Sequence, residues 1–250
     1  MLKRVIIKLS GEAIGDDAFN TKSVSGYSDP IINDIVRQII QVTKTGTQVS
    51  LVVGGGNYWR GRQANPEMDR VKADQMGMLA TVMNALYLAD AFRRQGKKAK
   101  VVTPIPIGNI TTLYDKDSTL EWLSEGTVII NAAGLGHPMF STDTITALRA
   151  AELEADCILF AKSIDGVYDA DPKKNEDARK FRTLDYHSAI TKNLQVADMT
   201  ALQLAQEAGI ASYVFSLNAP ESITLACSYP KTHSLKGTYI HVSAKEDYYE

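Results

Sequence analysis

Short runs of β-branched and apolar residues alternate with longer stretches of helical period from one end of the chain to the other. Residues 3–9, 48–53, 99–103, 127–131, 157–160, 212–215 and 238–241 are predicted strands. Several of them, such as the one holding Val5-Ile6-Ile7, place apolar residues consecutively, as strands covered on both faces require. Helices are predicted over 29–45, 71–95, 118–124, 142–154, 185–192, 199–208 and 220–226. Asp29 before Pro30 reads as an N-cap followed by proline at the first helical position, and Gly46, Gly96 and Gly209 stand where left-handed C-caps belong. This alternation predicts a layered α/β fold.

Two segments lack either period. Residues 15–28, rich in Ser, Asn, Asp and Gly, and 169–183, where Asp, Lys, Asn and Arg alternate, read as surface loops, and 245–250 reads as a frayed tail. None resembles a Pro/Ser-rich linker, so the expectation is one compact domain, 1–250, whose halves, about 1–150 and 151–250, share a sheet.

With 44% apolar and 22% charged residues in a chain of 250, there is enough material for a large core, which excludes disorder, collagen and coiled coil. Lys and Arg total 27 against 29 Asp and Glu, a net charge of -2. No basic excess exists to hold a polynucleotide, although a single nucleotide remains a candidate. The apolar run 5–7 is too short for a signal-peptide core and no run approaches a membrane span, so a cytoplasmic protein without membrane contact is expected. The only cysteines, Cys157 and Cys227, lie in apolar surroundings without ligand spacing and read as buried thiols.

The chemistry-bearing residues gather at predicted strand ends, where open α/β sheets bind ligands. Lys8-Leu9-Ser10-Gly11 ends the first strand, Gly54-Gly55-Gly56-Asn57 follows the second, and Ala133-Gly134-Leu135-Gly136-His137-Pro138 follows the strand 127–131. One such turn is ordinary; three in phase offer a tray of backbone N–H groups suited to phosphate oxygens. Neither a P-loop nor a complete dinucleotide fingerprint is present, since Met139 stands where the third glycine belongs. Lys8, Arg60, Asp143 and Lys162 lie near the turns. Phosphoryl transfer asks for cations around the moving group, backbone donors and bound magnesium. A nucleoside monophosphate acceptor is already anionic, so the lack of a convincing histidine base fits. His137 reads equally as a substrate contact or as a solvated loop residue.

These features resemble the amino-acid-kinase fold family and, within it, the bacterial uridylate (UMP) kinases. The resemblance covers nearly the whole chain: Lys3-Arg4-Val5-Ile6-Ile7-Lys8-Leu9-Ser10-Gly11-Glu12, Val53-Gly54-Gly55-Gly56-Asn57 with Trp59-Arg60-Gly61, residues 73–84, Pro138-Met139-Phe140-Ser141-Thr142-Asp143, Asp165-Gly166-Val167-Tyr168 with Asp171-Pro172, and Lys236-Gly237-Thr238. The string Asp74-Gln75-Met76-Gly77-Met78-Leu79-Ala80-Thr81-Val82-Met83-Asn84 is the most specific, matching uridylate kinases rather than glutamate, aspartate or carbamate kinases. The fold implied is a three-layer α/β/α sandwich with a central, mostly parallel sheet.

The resemblance implies transfer of the ATP γ-phosphate to UMP, with Lys8, Arg60, Asp143 and Lys162 as catalytic residues. Lys8, Leu9, Ser10, Gly11, Gly56, Arg60, Lys162, Asp165, Tyr168 and Asp171 would meet ATP. Gly55, Asp74, Leu135, Gly136, His137, Pro138, Met139, Phe140, Ser141 and Thr142 would meet UMP, with the acceptor on the amino-terminal half and ATP on the carboxyl-terminal half. Magnesium held through nucleotide phosphates, a homohexamer, GTP activation and UTP inhibition complete the expectation. Taken singly, Asp143 also resembles a helix-start acid, Asp165-Gly166 a common turn and Asp171-Pro172 a loop corner. Leu135 and His137 stand where many relatives carry Thr and Asn, and Lys162-Ser163-Ile164 departs from the usual Thr-Lys-Val. The rivals are a nucleotide-binding storage or sensor protein of the same fold, and a kinase for a carboxylate or carbamate acceptor.

Overall fold

The computed structural model describes residues 2–15, 26–229 and 235–249. In chain order these form β1 (Arg4–Leu9), α1 (Gly11–Ile14), α2 (Asp29–Lys44), β2 (Gln48–Val53), α3 (Arg70–Arg94), β3 (Ala99–Thr103), β4 (Thr112–Leu113), α4 (Lys116–Ser124), β5 (Val128–Asn131) and α5 (Thr142–Glu152). They continue with β6 (Cys157–Lys162), β7 (Phe181–Leu184), α6 (Tyr186–Thr191), α7 (Met199–Glu207), β8 (Ala211–Ser216), α8 (Ser222–Cys227), β9 (Thr238–Ile240) and β10 (Asp247–Tyr248).

All ten strands belong to one sheet, in the order β10-β7-β9-β8-β6-β1-β2-β5-β3-β4. Only β8–β9 and β7–β10 pair antiparallel. Val5, Ile6 and Ile7 on β1 are fully buried because helices cover both faces of the sheet. Ile7 and Leu9 join the core under α2, α3 and α8, whereas Ile6 joins the core under α4, α5, α6 and α7. The result is the three-layer sandwich.

Strand β1 lies between β2 and β6, with Lys8 opposite Val52 on one side and Phe160 on the other. The chain crosses there from one half to the other, so the carboxyl ends of β1, β2 and β6 open a crevice where such sheets bind ligands.

Gly46, Gly96 and Gly209 have φ of +89°, +75° and +64°, as their C-cap positions demand. Four expectations change. Ser28, not Asp29, is the N-cap of α2, leaving the Asp29 carboxylate to accept a hydrogen bond from the Tyr87 hydroxyl at 2.5 Å. The loop over 169–183 ends in β7, which pairs with β9 and β10. The tail over 245–249 is tied down as β10 instead of fraying, because β7 offers it a free edge. The two-residue β4 is too short to leave a periodic signal. Of the loop 15–28, residues 16–25 lie outside the described residues, as does Glu250; Gly15 and Tyr27 form an antiparallel bridge. No helix among the described residues is long and apolar enough to cross a membrane.

Candidate active site

At the carboxyl ends of β1, β2 and β5 lies a cleft of about 430 Å³. Its floor is the first two glycine turns, packed backbone against backbone. A Cβ on Gly11 would lie 2.5 Å from the Gly56 nitrogen, and one on Gly54 would lie 2.9 Å from the Gly11 nitrogen. Gly55 faces α3, where a Cβ would meet the Gly77 carbonyl oxygen and the Ala80 Cβ at 2.9 Å each. Only glycine permits these approaches.

Asn84, fully buried on α3, locks the second turn. Its amide donates to the Gly54 carbonyl at 2.6 Å and to Asn57 Oδ1 at 2.7 Å, and the Asn57 amide donates back at 3.1 Å. Thr81, one helical turn earlier, accepts the Ala133 N–H at 2.7 Å and so places the third turn, where Ala133, Gly134 and Gly136 all have positive φ.

The charges converge where this cleft meets β6. Lys8 Nζ stands 2.9 Å from Asp143 Oδ1, with both side chains largely shielded. Asp143 occupies the first turn of α5, fixed by its N-cap: Ser141 Oγ accepts the Asp143 N–H at 2.9 Å and the Thr144 N–H at 3.4 Å. Asp198, the N-cap of α7, receives hydrogen bonds from the Ser141 hydroxyl and from the Thr144 hydroxyl, the latter at 2.9 Å. The Lys162 ammonium donates to the Val196 carbonyl. Burial lowers its pKa below the ordinary lysine value, with Asp143 opposing that shift and Lys8 adding to it. Lys8, Asp143 and Lys162 are therefore one electrostatic unit. Arg60 lines the cleft and pairs with Glu12. Asp74 accepts from Arg70 Nε at 2.9 Å and from the Met139 N–H at 2.9 Å, tying α3 to the loop before α5.

A second cleft, of about 720 Å³, is walled by residues 163–173 and 192–195. It contains Asp165, Tyr168 and Asp171 together. Asp165 accepts from the Lys180 ammonium at 2.7 Å and the Tyr168 hydroxyl at 2.8 Å. Burial disfavours the Asp165 carboxylate, but those two hydrogen bonds, the Lys180 charge and a backbone hydrogen bond together hold the group below the usual carboxylate range. Burial and the same carboxylate push the Tyr168 hydroxyl up to about 12.

The structure thus gathers Lys8, Ser10, Gly11, Gly55, Gly56, Arg60, Asp74, His137, Pro138, Phe140, Ser141 and Thr142 in the first cleft. Asp143 and Met139 line its outer shoulder with Asp74. Four residues fall elsewhere. The Leu9 side chain is buried in the core, because β1 alternates faces, and its carbonyl is taken by the Gly54 N–H at 2.9 Å. Leu135 packs against the core on the α5 side. Gly136 turns against Pro104 and Ile105. Ser141 reaches the cleft, but its hydroxyl is engaged in capping α5. Lys162 lines neither cleft and lies beside the Lys8–Asp143 pair. Residues that motif reasoning passed over include Glu12, Asp198 and Lys180. The family resemblance pointed to Asp165 and Tyr168 but not to the lysine 15 residues further on that binds Asp165.

Residues 3–216 match the amino acid kinase family. Among solved structures, the chain is similar to a UMP kinase from Bacillus anthracis, with a TM-score of 0.89 and 33% identity over 100% of this chain and 99% of that one. It is similar to a UMP kinase from Ureaplasma parvum, with a TM-score of 0.87 and 36% identity over 96% of this chain and 99% of the other.

Proposed function

The chain belongs to the amino acid kinase family, and on that premise we propose that it is a nucleoside monophosphate kinase that transfers the γ-phosphate of ATP to UMP, giving UDP and ADP for pyrimidine nucleotide synthesis. The observation that carries this reading is the Lys8–Asp143 pair at the glycine-floored cleft, with Lys162 beside it at the end of the strand that leads into a second cleft of nucleotide size. Full-length similarity to two UMP kinases at 33% and 36% identity supports UMP as the acceptor.

In this reading the first cleft takes UMP and the phosphates of ATP, and the second takes the adenosine. An oxygen of the UMP α-phosphate attacks the γ-phosphorus in line, and the bond from that phosphorus to the β–γ bridging oxygen breaks with its electron pair leaving on ADP. The attacking oxygen carries no proton to remove, so no general base is required. Lys8, Lys162 and Arg60 offset charge on the transferred group, while N–H groups of the glycine turns fix its oxygens. Asp143 keeps the lysines oriented.

Asp143 Oδ1 is buried and meets the Lys8 ammonium out of hydrogen-bonding alignment. A single carboxylate of this kind suits magnesium, which binds through one or two carboxylates plus substrate phosphates. The nucleotide phosphates and Asp143 would hold the ion, which supplies charge neutralisation across the donor phosphates.

Exposed Met76, Leu79, Met83 and Leu86 follow one another at helical spacing on α3. This apolar face supports assembly from copies of the chain, with a homohexamer the form that the family resemblance implies. GTP activation and UTP inhibition rest on that resemblance alone. A cytoplasmic setting fits two free, buried cysteines.

The test is a coupled ADP-release assay across a panel of acceptors. UMP is expected to exceed CMP and AMP in kcat/KM by about a hundredfold, near what one or two well-placed hydrogen bonds discriminate. Comparable turnover of CMP would reassign the acceptor, and nucleotide binding without ADP release would make the protein a store or sensor.

A further inference from the structure

The second cleft is stiffened from outside by the carboxyl terminus. Lys180, immediately before β7, is largely buried and sends its ammonium to Asp165 Oδ2 at 2.7 Å and to the Lys236 carbonyl at 3.1 Å. It therefore joins the cleft wall around Asp165 to the segment that leads into β9. The space around it is tight: a Cβ on Gly166 would lie 2.8 Å from both Lys180 Cδ and Thr238 Oγ1.

Tyr249 holds this lysine from behind. Its N–H donates to the Lys180 carbonyl at 3.0 Å, its hydroxyl donates to the Gly237 carbonyl at 2.7 Å, and its ring centre lies 4.9 Å from the Lys180 ammonium. The preceding residues are fastened as well. Asp247 pairs with Arg182, and Tyr248 stacks on Phe181 at 4.4 Å. Glu246 pairs with Lys192, which itself lines the cleft.

The electrostatic consequence is specific. Three aspartates, Asp165, Asp169 and Asp171, line a cleft that, on this reading, takes the nucleoside end of a polyanion whose phosphates lie in the first cleft. A carboxylate left unneutralised there repels the nucleotide. Asp169 pairs with Arg179 and Asp171 stands 3.8 Å from Lys174, but both of those cations are well exposed. Lys180 is the shielded one.

We propose that Lys180, braced by Tyr249, is a positioning residue that fixes and neutralises Asp165, so that the carboxyl-terminal strap 245–249 sets affinity for the donor nucleotide and leaves the acceptor untouched. This rests on the reading of the second cleft as the donor side.

The experiment uses the full chain with Lys180→Met, Lys180→Arg and Tyr249→Ala, measuring ADP affinity by calorimetry, KM for ATP and for UMP, and Tm. Lys180→Met is expected to weaken ADP binding and raise the KM for ATP about tenfold, with the KM for UMP within about twofold, as loss of a charge-assisted hydrogen bond on one substrate side predicts. Lys180→Arg restores most of the affinity, and Tyr249→Ala weakens ADP about threefold by loosening the brace. A lowered Tm with unchanged ADP affinity would make the strap purely structural and overturn the proposal, as would an equal rise in the KM for UMP. Should Lys180→Met not fold, Tyr249→Ala with wild-type ADP affinity overturns it. If the wild-type chain binds no ADP, the donor-side reading falls and this inference with it; binding that Lys180→Met leaves unchanged defeats this inference alone.

Discussion

The cleft beyond β1, β2 and β5 is walled largely by backbone, whereas the cleft around Asp165 and Tyr168 is walled by side chains carried on loops. In the first, Gly11 and Gly56 approach so closely that no side chain fits between them, and a buried amide pair, Asn57 with Asn84, holds the turn rigid. In the second, ion pairs at Asp165, Asp169 and Asp171 do the positioning, and most of their members reach solvent. A site where a phosphorus atom moves needs donors placed in advance of the reaction, which fixed backbone N–H groups provide. A site that grips a nucleoside away from the chemistry tolerates looser walls. On the proposed reading, the two differ in what they must hold still.

That contrast can be attacked from the chemical side first. Lys8→Ala and Arg60→Ala are each expected to lower kcat by roughly a hundredfold or more with folding intact, because each removes a cation from developing charge and not from the core. Steady-state kinetics beside circular dichroism decides it, and near-normal kcat in a folded variant would remove that residue from the mechanism.

A smaller effect probes the rigidity of the backbone wall. Asn84→Ala leaves the buried Gly54 carbonyl and the Asn57 amide without their partner, and should cost about 2 kcal/mol in denaturant unfolding. A loss well below 1 kcal/mol would mean that the glycine turn holds its shape without the amide pair, and the distinction between the two clefts would weaken.

The least effect belongs to the side-chain wall and appears only in acid. Asp165 is held below its ordinary value of 3.8, so the unfolded chain takes up its proton first as pH falls. The stability that Asp165 contributes is present above about pH 4 and is lost as pH drops through the lower folded value. Unfolding by urea between pH 5 and 3 should show wild type and Lys180→Met converging at the acid end. A gap that stays constant would place the effect of Lys180 elsewhere.

The same contrast explains what was legible in the sequence. Glycine turns at strand ends announce themselves, because only glycine permits the backbone contact and the hydrophobic runs before them fix the strands. Lys8, the Gly54-Gly55-Gly56 turn and Arg60 were visible for that reason. The string from Asp74 to Asn84 read by composition as a Met-rich core helix; the part Asn84 plays in fixing Gly54 emerges only when α3 is laid against β2. Lys180, β7 and β10 went unread, since β7 follows directly on a charged, irregular run, β10 has only two residues, and the two are joined by partners more than 60 residues apart, as in Thr183 with Lys245. Leu9 differs again: the resemblance placed it beside ATP, and strand alternation turns its side chain into the core.

That the two clefts are halves of one reaction centre joined at Asp143 is the claim on which the rest depends. A carboxylate between donor and acceptor phosphates is unfavourable for binding alone, since it adds negative charge where charge is already crowded. The direct test is Asp143→Asn, with calorimetric binding of UMP and ATP measured without magnesium and ADP release measured with it on one preparation. The account predicts kcat lowered about a hundredfold or more while both affinities stay equal or tighten. Weakened binding with unchanged kcat would show that Asp143 serves only to bind or to cap α5, and would contradict it.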